Sequence, residues 1–544
     1  MKSRHTARAL PRASLPSRST LRRHAATPAS LHGLQRRVPK GLAHASRAAV
    51  IALALTGCAS GPDFEPPAAP TVADASHPYT PVPLPAQTAS APGTGGAAQR
   101  YVQGQDIPAL WWQLFHSEPL DQLIRSALAQ SPTLASAQAA LRQAQESYAA
   151  DAGSKLVPAV NGQLGATRQR ASQYGSAIPG GGVFDLYNAS VNVSYTIDAF
   201  GATRRELEGL QAAVDYQRYQ VEAAYLSLTA NLVTTAIQEA SLRAQLQATR
   251  DVAEAEEKSL ALVETQARLG AVARSTVLAQ RTVLAQTRAT LPALEKALAQ
   301  TRHQLAVYAG RLPGEAGLPE FALDTLQLPE DLPVTLASEL VRQRPDIQAS
   351  EALLHQASAQ IGVATANLYP HITLSGSLGS QSLKVDKLFS NGSAFWSLGA
   401  GLLQPIFNGG ALQADKRAAV AAFDQARAQY RQTVLNAFLN VANTLRALDS
   451  DADALRAQAE AEALAREQLG LVTRQYQLGA VSNLALLDAQ RAFQQTRVAL
   501  VQAQAARYAD TAALFQAMGG GWWNRAELTD ISAAQRTAAP EPKH

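Results

Sequence analysis

The chain has 544 residues and carries 48 Lys and Arg against 43 Asp and Glu, a formal net charge of +5. Eleven of the basic residues and none of the acidic ones lie in residues 1–57, so residues 58–544 hold 37 basic and 43 acidic residues, a net charge of −6. This balance argues against a nucleic-acid-binding protein, which needs a basic surface. The low aromatic content of 6% favours long helices over the mixed core of an enzyme.

A lipoprotein export signal is predicted at the N-terminus. The apolar run at residues 48–55 follows the basic segment and is too short to cross a bilayer, as is typical of a signal-peptide core. It leads into Leu55-Thr56-Gly57-Cys58, which resembles the bacterial lipobox, whose cysteine receives diacylglycerol and a fatty acyl chain. We therefore expect a signal peptide over 1–57 and lipidation of Cys58. The resemblance to bacterial lipoproteins also implies an outer-membrane destination, because Ala59 rather than Asp follows the cysteine.

Residues 59–100 are rich in Pro, Ala, Gly, Ser and Thr, and this composition predicts a tether that does not pack into a core. With the lipidated N-terminus, we assign the tether to residues 58–105.

No catalytic or metal site is expected. Cys58 is the only cysteine, which excludes disulfides and cysteine-ligated metal sites within the chain. No Gly-rich phosphate loop follows a predicted strand, and the histidines are isolated and lack metal-ligand spacing. The sequence thus predicts neither an enzyme nor a cofactor other than the lipid on Cys58.

The rest of the chain repeats one pattern at an offset of about 209 to 213 residues. Residues 132–158 match 345–370, Leu269-Gly270-Ala271-Val272 recurs as Leu478-Gly479-Ala480-Val481, and Ala279-Gln280-Arg281 recurs as Ala489-Gln490-Arg491. Each copy is predicted to run helix, two strands, long helix, tight turn, helix, which indicates a duplicated unit of domain size.

The predicted strands alternate between apolar and polar residues. Residues 187–197 are apolar or small at odd positions and polar at even positions, and 371–378 and 396–402 alternate in the same way. Such runs are close to the length of a tilted membrane-spanning strand, although a soluble hairpin has the same pattern. Four strands cannot close a barrel and lipid does not tolerate open edges, so a membrane location requires several chains to share one barrel.

Long helices flank these strands. Residues 202–268 contain no proline, and about 67 residues at roughly 1.5 Å each extend about 100 Å. Residues 411–478 have the same reach. Apolar residues recur every seven positions from Val277 to Leu305, which is typical of a supercoiled seam. A long soluble coiled coil would share this periodicity.

In combination these features resemble the outer-membrane efflux proteins of the TolC/OprM type, in their lipoprotein branch. The motifs that carry the resemblance are Gly61-Pro62-Asp63-Phe64, Trp111-Trp112-Gln113-Leu114-Phe115, Leu156-Val157-Pro158, Leu368-Tyr369-Pro370, Ile406-Phe407-Asn408-Gly409-Gly410, Tyr476-Gln477-Leu478-Gly479, Leu486-Leu487-Asp488-Ala489-Gln490-Arg491 and Gly519-Gly520-Gly521-Trp522.

The resemblance implies an α+β protein that forms a homotrimer. Four strands per protomer would give a twelve-stranded outer-membrane β-barrel, continued by a long periplasmic α-helical barrel with a mixed equatorial girdle. Residues 106–310 and 334–525 would be the two efflux repeats, 311–333 an equatorial linker and 526–544 a C-terminal tail.

The implied function is a passive exit duct for small molecules or drugs, the outer-membrane channel of a tripartite efflux system. Its partners would be a periplasmic adaptor protein, an inner-membrane transporter of the resistance-nodulation-division (RND) type and outer-membrane lipid. Two alternatives stay open: a channel for type I protein secretion, and a non-channel coiled-coil lipoprotein that acts as a spacer or adhesin.

The resemblance also suggests gate and docking residues at the periplasmic helix turns, here 269–274 and 478–483. Tyr476, Leu484 and Asp488 match the constricting positions of the second turn, while Gln475 replaces a frequent Arg and Arg474 lies one residue earlier. Tyr476 and Arg474 can come near Asp488 if the two helices pair antiparallel from Gly479. The docking residues for the adaptor would be Leu269, Gly270, Leu478 and Gly479. The alternatives are that Asp488 is only a solvated helix charge and that each glycine only forms its turn.

Overall fold

The structure, a computed structural model, describes residues 60–68, 79–171 and 182–525. The predicted signal peptide, Cys58, the loop residues 172–181 and the tail 526–544 therefore lie outside the described residues.

Eight α-helices are present in the described part of the chain. They are α1 Glu118–Gln130, α2 Pro132–Lys155, α3 Ala202–Arg268, α4 Arg274–Tyr308, α5 Ala337–Gln343, α6 Pro345–Ala366, α7 Ala411–Gln477 and α8 Asn483–Ala517. The prediction of two very long helices is confirmed, because α3 and α7 each contain 67 residues. None of the described helices combines the length and the apolar composition that a membrane-spanning helix requires.

The six described strands form two sheets. Strands β1 Arg100–Gln103 and β4 Asp331–Val334 pair in parallel. Strands β2 Ala159–Ala171, β3 Gly182–Ile197, β5 His371–Ser382 and β6 Ala394–Leu403 form an antiparallel sheet in the order β2-β3-β5-β6. The predicted strands are confirmed, although β3 begins at Gly182 rather than at Tyr187.

The register of the four-stranded sheet places apolar residues of all four strands on one face. Val191 lies opposite Gly162 on β2 and Leu378 on β5, and Leu378 lies opposite Trp396 on β6. Since side chains alternate along a strand, the polar residues between them share the other face. There Asn192 Nδ2 donates to Gln163 Oε1 (3.4 Å), and the Ser377 and Ser397 hydroxyls lie 3.1 Å apart.

The long helices pack side by side. Helix α3 packs against α2, α4, α6 and α8, and α7 packs against α6 and α8. The strand pair β2–β3 leads into α3 and α4, and the pair β5–β6 leads into α7 and α8. Because α3 and α7 each contain 67 residues, both halves place a tight turn at the same distance from their strands. Helices α4 and α8, which follow the turns, each contain 35 residues.

An aromatic core lies where the short elements wrap the helices. Trp111, Trp112 and Phe115, in a 3₁₀ turn before α1, are buried, and Trp111 stacks on Phe515 of α8 with 5.3 Å between ring centroids. Trp523 packs against this core, and the indole Nε1 of the adjacent Trp522 donates to the Gln343 carbonyl oxygen at 2.6 Å. The Trp-Trp motif therefore supplies the core of this region.

The linker between α4 and β4 is held by one buried carboxylate. Glu239 of α3 is fully buried and accepts from Arg243 (2.5 Å), from Arg302 of α4 (2.9 Å) and from the Phe321 backbone N–H (2.9 Å). This network connects two long helices to the linker and compensates the cost of burying a charge.

The expectation that residues 59–100 do not pack is wrong both for residues 60–64, which contact α3 and α6, and for the described residues from 79 onward. Gln99 is fully buried and Thr88 nearly so. The buried guanidinium of Arg507 on α8 donates to Thr88 Oγ1 (2.8 Å), the Ala97 carbonyl (2.8 Å) and Gln99 Oε1 (3.3 Å). The segment is too polar to form a core of its own, but hydrogen bonds to a distant helix and the packing of Tyr79 and Leu84 against the main core still order it.

Candidate functional site

The four-stranded sheet exposes its apolar face. Leu164, Trp396 and Leu398 are 81%, 76% and 82% exposed, and Leu378 and Leu402 are also largely exposed. A continuous apolar face of this kind marks a surface that another apolar phase or molecule covers.

The same sheet has two unpaired edges. Strands β2 and β6 are its outermost strands, and neither has a second strand partner within the described part of the chain. Their backbone N–H and C=O groups are available to pair with another strand, and in lipid they would have to do so.

The segment that follows Cys58 is clamped at the junction of this sheet with α3. Ser60 N–H donates to the Phe200 carbonyl (3.0 Å), and the buried Arg205 donates to Asp63 Oδ1 (2.5 Å). Phe64 stacks on His355 of α6 with 4.3 Å between centroids. The Gly61-Pro62-Asp63-Phe64 motif thus holds residue 60, two positions after Cys58, beside the end of β3.

This clamp requires glycine at one position. Gly61 has a φ of +93°, and a Cβ there would lie 2.6 Å from the Gly362 Cα of α6. Any side chain would both strain the backbone and collide with the helix.

The two tight helix turns have the same geometry. Gly270 and Gly479 have φ values of +77° and +73°, and each closes its helix through hydrogen bonds to carbonyls of the last turn. A Cβ at either glycine would meet open space, so the positive φ is what requires glycine. Leu269 and Leu478, just before these glycines, are 80% and 83% exposed.

A small apolar cluster joins the two turns. Val263, Val277, Tyr476 and Leu486 form its buried part, which brings together α3, α4, α7 and α8. The Tyr476 hydroxyl donates to Gln266 Oε1 of α3 at 3.1 Å. Tyr476 therefore fastens one turn to the other within a single chain.

The other suggested gate residues are solvent-facing. Asp488 pairs with Arg491 on its own helix (3.0 Å) and its side chain is 62% exposed. Arg474, Gln475 and Leu484 are exposed as well. The expected approach of Asp488 to Tyr476 or Arg474 is not made within the described chain. The Tyr476 hydroxyl donates to Gln266 instead, and Asp488 accepts from Arg491.

Sequence reasoning missed the role of two buried glutamines near these turns. Gln280 Nε2 donates to Gln490 Oε1 (3.3 Å), and Gln490 Nε2 donates to Ser259 Oγ (3.2 Å). The two residues stand at matching positions of the repeated Ala-Gln-Arg motif, so their recurrence was the signal that could have identified them.

Comparison with known proteins identifies the architecture. Residues 123–311 and 336–520 match the family model described as outer membrane efflux protein. The chain is 35% identical over 421 residues to the pyoverdine export outer membrane protein OpmQ of Pseudomonas aeruginosa, covering 76% of this chain and 87% of OpmQ. It is 30% identical over 491 residues to the toluene efflux pump outer membrane protein TtgC of Pseudomonas putida, covering 90% of this chain and 98% of TtgC.

A solved structure supports the same relationship. The outer-membrane channel OprN superposes with a TM-score of 0.77 at 28% identity, covering 86% of this chain and all of that one. The chain belongs to the outer membrane efflux protein family, and it is an outer-membrane efflux channel.

Proposed function

We propose that three copies of this chain form one continuous duct through the outer membrane and the periplasm. Their sheets would close into a twelve-stranded barrel, the four long helices of each copy would line the tunnel, and residues 106–310 and 334–525 would be duplicated repeats. The single observation that carries this proposal is the four-stranded sheet, which has an exposed apolar face and two unpaired edges within the described chain. In a trimer within lipid, the lipid would cover the apolar face and the strands of neighbouring copies would pair with both edges.

The duct would be passive, without catalysis, and would work with a periplasmic adaptor and an inner-membrane RND transporter. Relatives named for pyoverdine export and toluene efflux favour small molecules as cargo over the proteins of type I secretion. The exposed leucines of the two turns, with Gly270 and Gly479, would present the docking surface for the adaptor.

Imaging and conductance together test this proposal. Electron microscopy of the purified protein should show a threefold tube, and the protein should conduct ions in liposomes. A monomeric rod without conductance would instead favour a coiled-coil spacer.

We further propose that Cys58 anchors the chain through lipid, since the clamp at residues 60–64 would hold it next to the proposed barrel. Cys58→Ser should abolish incorporation of labelled fatty acid and leave the signal uncleaved or cleaved elsewhere. Export restored with an ordinary cleavable signal should preserve some channel activity, because the barrel itself holds the protein in the membrane. Undiminished labelling of Cys58→Ser would exclude this cysteine as the lipidation site.

We also propose that Asp488 constricts the periplasmic entrance, together with Tyr476, Leu484, Arg474 and Gln475. Asp488→Ala should raise single-channel conductance in planar bilayers and lower cation selectivity, because a ring of three carboxylates attracts cations. The matched control is Asp453→Ala on α7, which removes an exposed ion pair of the same spacing (Asp453–Arg456, 2.8 Å) away from the turns. It should behave as wild type.

An apolar constriction would give a different pattern. In that case Leu484→Ser would open the channel while Asp488→Ala matched wild type in both conductance and selectivity. Asp488 would then be a solvated charge paired with Arg491 and nothing more.

A further inference from the structure

Basic side chains collect at one end of the four-stranded sheet. Helices α3 and α7 begin soon after β3 and β6, so the sheet has a helix end and an opposite end, which we call the rim. Arg168 and Arg170 of β2 lie at the rim, and Lys384 and Lys387 lie there in the loop that follows β5. All four residues, which we call the rim cluster, are exposed.

The register of the sheet places both arginines on its apolar face. Arg168 and Arg170 follow Leu164 in steps of two residues along β2, so the three side chains point to the same side. The pairing with β3 runs without a break over this stretch, with Leu164 opposite Ala189 and Arg168 opposite Asp185. The face that is apolar in the middle of the sheet therefore becomes basic at the rim.

The spacing along β3 places the rim arginines at the level of lipid headgroups. The apolar face of β3 carries Tyr187 and Tyr195, with apolar residues at every second position of 189–193 between them. Eight residues at about 3.3 Å each, tilted by about 40°, span roughly 20 Å of height, close to the apolar band of about 25 Å between two aromatic girdles. Asp185, which marks the level of Arg168, lies about 5 Å in height beyond Tyr187 on the same scale.

The positive charge of the rim is only partly neutralised by the chain. Arg168 and Asp185 approach to 3.6 Å, and the arginine side chain stays 75% exposed. The other three members of the rim cluster form no ion pair with any described residue. With Asp185 and Asp386 as the acids, four basic residues against two give the rim a net charge of +2 per chain. At the helix end, by contrast, Arg204 pairs with Asp198 at 3.3 Å.

The loop of the rim interleaves its lysines with exposed apolar side chains. Leu383, Val385 and Phe389 are 54%, 65% and 78% exposed. The Lys384 backbone N–H donates to Ser382 Oγ (3.2 Å), which holds the start of the loop to the end of β5. Segments with this mixture suit a membrane interface, where apolar side chains and lysine stems contact acyl chains while the ammonium groups reach phosphates.

We propose that the rim cluster binds phosphorylated lipid headgroups of the outer leaflet, with Arg168 and Arg170 on a phosphate and the two lysines adding further contacts. A guanidinium donates two parallel hydrogen bonds to phosphate oxygens, and an ammonium group supplies a compact charge. The inference rests on the proposed barrel, which directs the rim away from the periplasm. Bound headgroups would supply the anions that the exposed basic side chains of the rim lack within the described chain.

Retention of labelled lipid A by the purified full-length protein in non-ionic detergent tests the rim. Affinity-tagged protein captures lipid A from mixed micelles, and protein-free micelles give the background. Lipid A should bind saturably and at least about tenfold more tightly than its dephosphorylated form, since hydrogen bonds to a charged group contribute that much. An excess of inorganic phosphate should not displace it, because the free ion makes no contact with the apolar side chains of the rim.

Two double variants with the same change of charge sharpen the test. Arg168→Gln with Arg170→Gln should weaken lipid A binding about tenfold or more and leave binding of the dephosphorylated form unchanged. The matched control, Lys416→Gln with Arg417→Gln, removes two basic residues from the start of α7 at the helix end of the sheet. It should bind lipid A as wild type does. Both double variants should keep the heat-resistant trimer and the conductance of the wild-type protein.

A third double variant, Lys384→Gln with Lys387→Gln, lies in the loop outside the strands and gives an independent measurement if the arginine variant does not assemble. It should also weaken lipid A binding, by at least a few-fold.

Equal binding of lipid A and its dephosphorylated form, or an unchanged lipid A affinity in the arginine and lysine variants, would overturn the proposal. So would an equal loss in the control variant, which would show a general effect of net charge, and displacement by inorganic phosphate, which would assign the rim to the free ion. Trimer and conductance are measured on the same preparations. A conducting trimer that does not retain lipid A contradicts the rim alone, whereas a monomer without conductance contradicts the proposed duct.

Discussion

Val193→Arg should strongly reduce the amount of the proposed trimer, whereas Asn192→Arg, one position earlier on the same strand, should leave most of it intact. Val193 lies on the apolar face of the sheet, within residues 187–194 where β3 pairs with both neighbours. An arginine that faces lipid near the middle of a barrel costs about 2–4 kcal/mol, and a trimer bears this cost three times. Asn192 lies on the polar face beside Gln163 and Ser190, where a charge can stay hydrated.

The measurement is the heat-resistant trimer band on gels, together with the yield of protein in the outer-membrane fraction. Ser190→Arg, also on the polar face, gives a second control. If Asn192→Arg and Ser190→Arg abolished the trimer while Val193→Arg did not, the polar face would be the one that meets lipid.

Glu239→Ala should destabilise the folded chain by about 3 kcal/mol, the lower end of the cost of breaking a buried ion pair. The substitution leaves Arg243, Arg302 and the Phe321 N–H without their shared acceptor. The cost stays at the lower end because Arg243 and Arg302 keep 31% and 28% of their side-chain exposure and can regain water. The midpoint of denaturant unfolding in detergent, followed by circular dichroism, measures the loss.

Glu320→Ala is the matched control for this prediction. Glu320 pairs with the same Arg243 (2.9 Å), but its side chain is 66% exposed. Exposed ion pairs contribute at most about 1 kcal/mol, so this variant should stay close to wild type. Equal losses in the two variants would contradict the idea that Glu239 holds the linker to α3 and α4.

The alternation of residues 187–197 was sufficient to predict which side chains of β3 share a face, because successive side chains of a strand point to opposite sides. The alternation did not predict which strands pair with β3. Strand β3 pairs with β5, which begins 174 residues after β3 ends, and nothing local in either strand specifies this order. Pairing between distant segments depends on how the flanking helices pack.

At the helix turns, too, the sequence predicted the local conformation but not the contacts between distant residues. Leu-Gly at 269–270 and 478–479 predicted both turns, because a residue with positive φ after a helix is usually glycine. The suggestion that Asp488 meets Tyr476 or Arg474 rested on spacing across one turn. The tyrosine instead reaches Gln266, 210 residues away, since the two turns pack against each other.

The sequence alone determined the local features of this protein: strand faces, helix lengths, turn positions and the family to which these motifs belong. Each depends on residues within a few positions, where periodicity and backbone preference act directly. Only the tertiary structure decided the contacts of Glu239 with the linker and those of Arg507 with the segment at 88–99. Those contacts join residues far apart in the chain, and their burial and partners follow from how complete helices pack together.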